Sequence, residues 1–366
     1  GSAGSWTGAS SSDWANSSNW CGGIPSSTTD VYIPPSSRVL NSPAINTAGA
    51  ACLSMTLEGN LIISATGTLD VYGNWNNNSG SVEPSTGSIT FRGATKTIGG
   101  TASTTFPAIN FGSGSSYSVN NNNSCTALTM LAGTSSSALT LSSGINFSVN
   151  GNVLINQLSS GGTGTNTWNI AGASVSITGN LTIGSASSST SRLSKVTVSG
   201  GTLNVTGNIV FNTSSTGSAV LDLSGGASTV NLSGALTKNS AGTLTPGTQS
   251  TFNFNGTAAG QTVTFGTGFS YNNIQFNNSH PSGVVLSGSI IPTNVTGNVL
   301  IQSGLFANGG YSVSGNAGKQ FSIGAGCTYK LTNATVMPTG FGILSIGIGS
   351  TVEFGGSSGQ TIAALN

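Results

Sequence analysis

The sequence predicts an all-β protein, a right-handed parallel β-solenoid with an aromatic N-terminal cap and almost no α-helix. The Gly-Asn pairs Gly151-Asn152, Gly179-Asn180 and Gly207-Asn208 recur at intervals of 28 residues. A fixed period of this size within short runs of alternating apolar and small polar residues is typical of stacked coils of β-strands. With 55 glycines in 366 residues, helix interiors are also disfavoured.

Composition narrows the possible functions. Only 4% of the residues are charged and the net charge is +1, whereas an ordinary globular protein has roughly 25% charged residues. Electrostatic binding of nucleic acid requires many Lys and Arg side chains, so we expect no nucleic-acid partner. We also expect no membrane insertion, because no apolar run approaches the roughly 20 residues that span a bilayer.

Residues 1–35 are predicted to form the cap. They contain three of the five tryptophans, Trp6, Trp14 and Trp20. The first coil of a solenoid exposes an apolar cross-section and an unpaired strand edge, which a capping segment must cover. Sugar stacking is the alternative role for these rings, but we interpret them as the core of the cap.

Residues 36–366 are predicted to form one continuous solenoid of coils of about 28 residues. A chain of this length makes roughly 13 coils, and strands about 4.8 Å apart give a rod about 60 Å long. The last residues begin a motif that occurs in full elsewhere, so we expect the stack to continue past Asn366.

The Gly-Asn pairs are predicted to lie at corners of successive coils. Gly151, Gly179 and Gly207 would supply the tight bend or positive φ that a corner needs. The amides of Asn152, Asn180 and Asn208 would hydrogen-bond along the stack, as amide ladders do in cross-β structures. Val149, Ile177 and Val205, two residues before each glycine, would form an inward apolar ladder.

Two sequence patterns resemble a known class of proteins. The first combines WTG, S-x-DW, NW, G-x-P and V-x-IP within residues 6–34. The second, G-x-(I/V/F)-x-F-x-G followed by T-I and an aromatic residue, occurs in variant forms at 87–111 and 250–276 and begins again at 350–366. Both resemble large secreted β-solenoid surface proteins of the Bacteroidota, many of which are type IX secretion cargo or gliding and attachment adhesins. The resemblance implies an extracellular or cell-surface location.

The four cysteines do not suggest a metal site. None lies in a CxxC or Cys/His spacing, so we expect no bound metal and no cofactor. Cys21 and Cys52 are candidates for a disulfide in an oxidising compartment. Cys125 and Cys327 are expected to be buried as small apolar residues.

The residues offer little for catalysis. His280 is the single histidine, and the seven acidic residues are scattered along the chain. A parallel β-helix enzyme acting on carbohydrate would need acids and basic residues clustered on one face, so we expect no enzyme activity. A glycan-binding module would instead need exposed tryptophans, such as Trp75 or Trp168, lining a groove.

These observations predict an extracellular structural and adhesive rod, part of a large cell-surface adhesin or filament. Expected partners are other solenoid segments, further copies of the chain and surface glycans. Two alternatives remain open: a self-assembling extracellular filament subunit, and a glycan-binding or carbohydrate-active β-helix protein.

Overall fold

The computed structural model is a β-solenoid of about 13 turns built from stacked parallel strands. It describes residues 1–83, 86–159, 164–184, 192–211, 218–238, 242–263, 265, 268–332, 336–357 and 359–360. Each turn passes three faces in the same order, which we call face 1, face 2 and face 3.

Face 1 is a ten-stranded parallel sheet near the N-terminal end of the stack. Beyond it, the described residues continue the face through single bridges, such as the bridge between Leu244 and Phe269. The strands are Val31–Ile33, Met55–Leu57, Trp75–Asn77, Lys96–Gly99, Ser116–Val119, Ala138–Leu141, Gly164–Ala171, Arg192–Ser199, Ser218–Asp222 and Gly242–Thr245.

Face 2 begins with a three-stranded sheet and continues as an eleven-stranded sheet. The first sheet comprises Ala44–Ile45, Asn60–Ile63 and Ser81–Glu83. The second comprises Thr104–Phe106, Asn123–Cys125, Asn146–Val149, Ser174–Ile177, Thr202–Val205, Thr229–Leu232, Thr251–Phe254, Asn273–Asn277, Val299–Ser303, Gln320–Ile323 and Ile343–Ile346.

Face 3 consists of a nine-stranded sheet followed by a five-stranded sheet. The first comprises Ala50–Cys52, Thr68–Val71, Ser88–Phe91, Ala108–Phe111, Leu128–Met130, Val153–Ile155, Leu181–Ile183, Ile209–Phe211 and Leu236–Lys238. The second comprises Gln261–Val263, Val284–Leu286, Leu305–Ala307, Thr328–Leu331 and Thr351–Phe354.

Inward-pointing residues of the three faces form one apolar core along the stack. The predicted ladder is confirmed, since Val149 pairs with Ile177, and Ile177 pairs with Val205. All three side chains are buried. Aromatic rings also stack between turns: the ring centroids of Phe276 and Phe306 are 4.2 Å apart and the ring planes are nearly parallel. β-Branched and aromatic side chains favour such pleated, buried surfaces.

The predicted coil length of about 28 residues is right only for the central turns. Equivalent positions are 28 residues apart at Asn152 and Asn180, but only 19 apart at Thr104 and Asn123. Part of the difference lies in the face 1 strand, which has eight residues at Gly164–Ala171 but four at Ser116–Val119, and the rest lies in the connections between faces. Corners tolerate insertions because connecting segments run over the surface.

The first strand of the solenoid lies inside the predicted cap segment 1–35, because face 1 begins at Val31. The preceding residues cover the exposed edges of two faces, with bridges from Ser5 to Tyr32 on face 1 and from Asp13 to Ala44 on face 2. The described helical segments are two 3₁₀ turns, Ser17–Asn19 and Ser36–Arg38.

Candidate functional surfaces

The three corner asparagines form a column along the stack. The backbone N–H of Asn180 donates to Oδ1 of Asn152 at 2.9 Å, and the N–H of Asn208 donates to Oδ1 of Asn180 at 2.8 Å. Asn208 in turn accepts from the N–H of Ala235 at 2.8 Å. Each side chain therefore bonds the backbone of the next coil, and not the amide of the next asparagine as in a cross-β ladder.

The corner glycines are needed for space rather than for a positive φ. Gly151, Gly179 and Gly207 are not among the glycines with positive φ. A Cβ at Gly179 would lie 2.5 Å from Oδ1 of Asn152 and 2.6 Å from the carbonyl oxygen of Gly151. The glycines thus let the backbones of neighbouring coils approach closely, and the positive φ that the sequence analysis allowed for them is absent.

A true amide ladder lies elsewhere, on the outer surface of face 2. Nδ2 of Asn231 donates to Oδ1 of Asn204 at 2.8 Å, and Nδ2 of Asn253 donates to Oδ1 of Asn231 at 3.0 Å. Sequence analysis missed it because the three residues are separated by 27 and 22 positions. The available signal was the shared T-x-N pattern of the strands.

The three N-terminal tryptophans form the core of the cap. The rings of Trp6 and Trp14 each meet Trp20 edge to face, at 4.8 and 4.6 Å. Nε1 of Trp20 donates to the carbonyl of Trp14, and Nε1 of Trp6 donates to the carbonyl of Asn41, both at 2.7 Å. All three rings are buried, which leaves no face free to stack on a sugar.

Trp75 and Trp168 do not line a groove. Both side chains are fully buried in the core, where Trp75 packs against Phe91 and Phe106, and Trp168 packs against Phe147. The hypothesis that these two tryptophans are exposed for glycan binding is therefore wrong. Each occupies an inward position of a face 1 strand, which alternation alone assigns to the core.

Cys21 and Cys52 are free thiols, so the candidate disulfide is absent. The reason is their placement: Cys52 points into the core on face 3, whereas Cys21 lies in the cap and is partly exposed. Burial raises the pKa of the Cys52 thiol and of the Cys125 thiol well above the ordinary value. Cys125 and Cys327 are buried, as predicted.

Charged residues pair between neighbouring coils in the described part of the chain. Ion pairs join Arg92 to Asp70 at 2.8 Å, Lys195 to Asp222 at 2.6 Å, and Lys330 to Glu353 at 2.6 Å. Burial alone would raise the pKa of Asp222, but hydrogen bonds from Lys195 and Ser224 outweigh it and hold that pKa below the ordinary value. These three contacts thus hold six charged side chains in ion pairs between neighbouring coils.

His280 lies in a turn rather than in a cluster of reactive groups. The backbone N–H of His280 donates to Oδ1 of Asn278 at 2.9 Å, and the imidazole Nδ1 of His280 accepts from the backbone N–H of Ser282 at 3.0 Å. Within the described residues no three His, Cys, Asp or Glu side chains are placed to hold a metal ion. Among those residues, too, no helix has the length and hydropathy needed to cross a membrane.

The C-terminal end of the described stack exposes apolar side chains. Ile343 and Ile348 are 59% and 94% exposed, and Ile346 is also exposed. The strands Ile343–Ile346 and Thr351–Phe354 are the last of their sheets, so each is paired on one side only within the described residues. This end therefore combines unpaired strand edges with apolar surface, whereas the opposite end lies under the cap.

Comparison with known proteins adds no relative: no family model, curated protein or solved structure matches the chain.

Proposed function

We propose that the chain is an extracellular structural and adhesive rod, a segment of a large cell-surface protein. The observation that carries the proposal is the continuous apolar core, which runs through about 13 turns of the described chain. Turns spaced about 4.8 Å apart give a rod about 60 Å long. Such a body can hold its surfaces, or a segment beyond it, away from a cell.

The distribution of charge supports a structural role over catalysis. A carbohydrate-cleaving site would bring two carboxylates into reach of one bond, with a separation of roughly 5 to 9.5 Å. Here Asp70, Asp222 and Glu353 are each engaged by a cation on a neighbouring coil. Glu58 accepts from the hydroxyl of Tyr32 at 2.6 Å, and Glu83 accepts from the amide of Asn60 at 2.7 Å.

Another solenoid segment is the partner that fits the C-terminal end of the described stack, which we call the open end. A coil stacked on Ile343–Ile346 and Thr351–Phe354 would pair both strand edges and cover Ile348. Parallel strands of matching register bury exposed edges in the way the interior coils already do. A low charge content and few Lys and Arg residues suit an extracellular location, because they leave few sites for trypsin-like proteases.

A self-assembling filament subunit is the second candidate, and the same open end favours it. Head-to-tail growth would require the N-terminal end of the next copy to accept the open strands. The cap already pairs with the first strands of faces 1 and 2 through Ser5 and Asp13. Growth in this direction would therefore require the cap to move, which makes the rod segment the better proposal.

Two measurements test the proposal. Electron microscopy of the dilute protein should show separate rods about 60 Å long, and beads coated with it should adhere to cells or polysaccharide surfaces more than beads coated with the denatured chain. Long fibres would favour the filament subunit, and bond cleavage in polysaccharide substrates would contradict a purely structural role. Equal adhesion of native and denatured coatings would refute the adhesive part.

The open end can be tested separately. Ile346→Lys places a charge among its apolar side chains, and Leu40→Lys provides a matched exposed apolar position near the other end. Where a solenoid partner binds, only Ile346→Lys should weaken binding. Equal effects of the two variants would contradict docking at the C-terminal end.

A further inference from the structure

A group of polar side chains is buried beside the core where the face 1 strands are longest. Arg192 opens the strand Arg192–Ser199 and is only 6% exposed. Ser194, two residues further along the same side of that strand, is fully buried, as is Gln157 after the strand Val153–Ile155. Alternation places Arg192 and Ser194 inward, in register with Gly164 and the buried Asn166 of the preceding coil.

The polar atoms of this group are incompletely paired within the described residues. Nη1 of Arg192 donates to the carbonyl of Leu158 at 2.8 Å, and Nε2 of Gln157 donates to the carbonyl of Arg192 at 3.2 Å. Nε of Arg192, Oγ of Ser194 and Oε1 of Gln157 are buried without a hydrogen-bond partner. The guanidinium therefore has donors that the described protein atoms do not satisfy.

No carboxylate neutralises this guanidinium. The sequence contains no Asp or Glu between Glu83 and Asp222, so Asp222 is the one acidic residue on the coils next to that of Arg192. Asp222 pairs in register with Thr197, five residues along the strand from Arg192, which corresponds to about 16 Å. Its carboxylate is already bound to Lys195 at 2.6 Å.

A buried, uncompensated guanidinium is costly. Arg stays protonated at any physiological pH, so it cannot escape burial by losing its charge. A buried charge is normally paired with an opposite charge or fully hydrogen-bonded. Within the described residues, one carbonyl oxygen satisfies one of the five guanidinium donors, so the other donors can bind an external acceptor.

We propose that Arg192, together with the hydroxyl of Ser194, binds a small oxyanion, either a free inorganic ion or the carboxylate or sulfate group of a larger ligand. The planar donors of a guanidinium match two oxygens of such a group. Arg192 as a whole is 6% exposed, so the residue borders solvent. This site goes beyond the proposed rod function, which does not require it.

Inorganic sulfate is the first probe, measured by calorimetric titration and by thermal unfolding at constant ionic strength. Wild type should show saturable binding, with a rise in Tm of about 2 °C or more at roughly tenfold excess over the dissociation constant. Arg192→Met removes the charge at similar volume and should lose at least about tenfold in affinity. Arg92→Met, which removes a surface arginine of face 3, should keep the response.

Sulfate also stabilises proteins generally, by exclusion from their surfaces. An equal, non-saturating rise in Tm for all three proteins would therefore refute the site, as would wild type without a binding isotherm. The latter result would mean that carbonyl groups and water satisfy the guanidinium. Should Arg192→Met fail to fold, the wild-type isotherm and the Ser194→Ala variant decide the matter, since Ser194→Ala should weaken sulfate binding.

A second titration distinguishes the two sources of the oxyanion. An oligosaccharide of galacturonic acid presents carboxylates on a larger ligand, whereas acetate presents the same group alone. Tighter binding of the oligosaccharide, lost in Arg192→Met, would assign the site to an acidic glycan. Equal binding of acetate and oligosaccharide would assign it to a small free anion, and binding of neither, together with the absence of sulfate binding, would overturn it.

Discussion

Replacing Asn180 with leucine tests whether the corner asparagines stabilise the stack. In the structure Oδ1 of Asn180 accepts the backbone N–H of Asn208 at 2.8 Å. Leucine has a similar size but no acceptor, so this N–H loses its partner. The N–H of residue 180 itself still reaches Oδ1 of Asn152, and the change therefore removes one link of the column.

The expected loss of unfolding free energy is about 1 kcal/mol. A neutral hydrogen bond contributes about 0.5 to 1.5 kcal/mol net, and a fully buried unpaired donor costs more. The freed N–H belongs to Asn208, which is exposed, so water can reach it and the larger penalty does not apply. In a chain of 366 residues, an unfolding entropy of about 2.1 cal/mol/K per residue converts this change into a fall in Tm of about 1 °C.

Two matched variants isolate the hydrogen bond. Asn180→Asp keeps an acceptor oxygen of the same shape and should stay close to wild type. Asn150→Leu changes an exposed asparagine near the same corner whose side chain makes no hydrogen bond within the described residues, and it should shift stability by less than about 0.5 kcal/mol. Urea midpoints followed by circular dichroism give the comparison. The reasoning fails if Asn180→Leu matches Asn150→Leu, or if Asn180→Asp loses as much as Asn180→Leu.

Three further changes follow from the packing. Gly207→Ala should lower the free energy of unfolding by about 1 to 3 kcal/mol, because the alanine Cβ would overlap the carbonyl of Gly179. Gly318→Ala is the control: no atom lies within 4 Å of the added Cβ, so this variant should match wild type in the same urea titration. Trp20→Ala should cost about 3 to 5 kcal/mol by opening the cap, and retained wild-type protease resistance of residues 1–30 would contradict this. The pKa of Asp222 is lower in the folded than in the unfolded state, so Asp222 stabilises the fold above its unfolded pKa, and this contribution is lost as the pH falls through its folded pKa. Asp222→Asn should therefore reduce the loss of unfolding free energy that wild type shows at acid pH.

The fold and its core ladder followed from the sequence because one period repeats without error in the central turns. Val149, Ile177 and Val205 hold the same position relative to their glycines, and the structure pairs them in register. A parallel stack requires equivalent residues to lie above one another, so equal spacing in sequence becomes alignment in space. Where spacing is equal, position along the chain specifies position on a face.

The outer amide ladder could not be found in this way. Asn204, Asn231 and Asn253 are as well aligned as the corner column, but the connections between them differ in length. Loop length changes the sequence interval without changing the register of the strands. A search for shared strand patterns, such as T-x-N in Thr202–Val205 and Thr251–Phe254, ignores the interval and would find such ladders.

Burial of polar and aromatic groups was the hardest property to predict. Trp75 was considered for an exposed groove although its alternation placed it inward, because a tryptophan suits both a core and a sugar site. The burial of Arg192 does not follow from residue type either, since an arginine in a strand is normally assigned to the outer surface. In both cases the alternation of inward and outward residues along the strand predicts burial better than the residue type does.

The two ends of the solenoid differ, and the difference has a consequence for the proposed rod. Each coil is stabilised mainly by its neighbours, so a coil with one neighbour is less stable than an interior coil. The cap supplies a neighbour through Ser5 and Asp13 at one end, whereas Ile343–Ile346 and Thr351–Phe354 have none among the described residues at the other. We therefore expect amide hydrogens of these last strands to exchange fastest, and a docked solenoid segment to slow them. Binding of such a segment and ordering of these last described coils would then be a single coupled event.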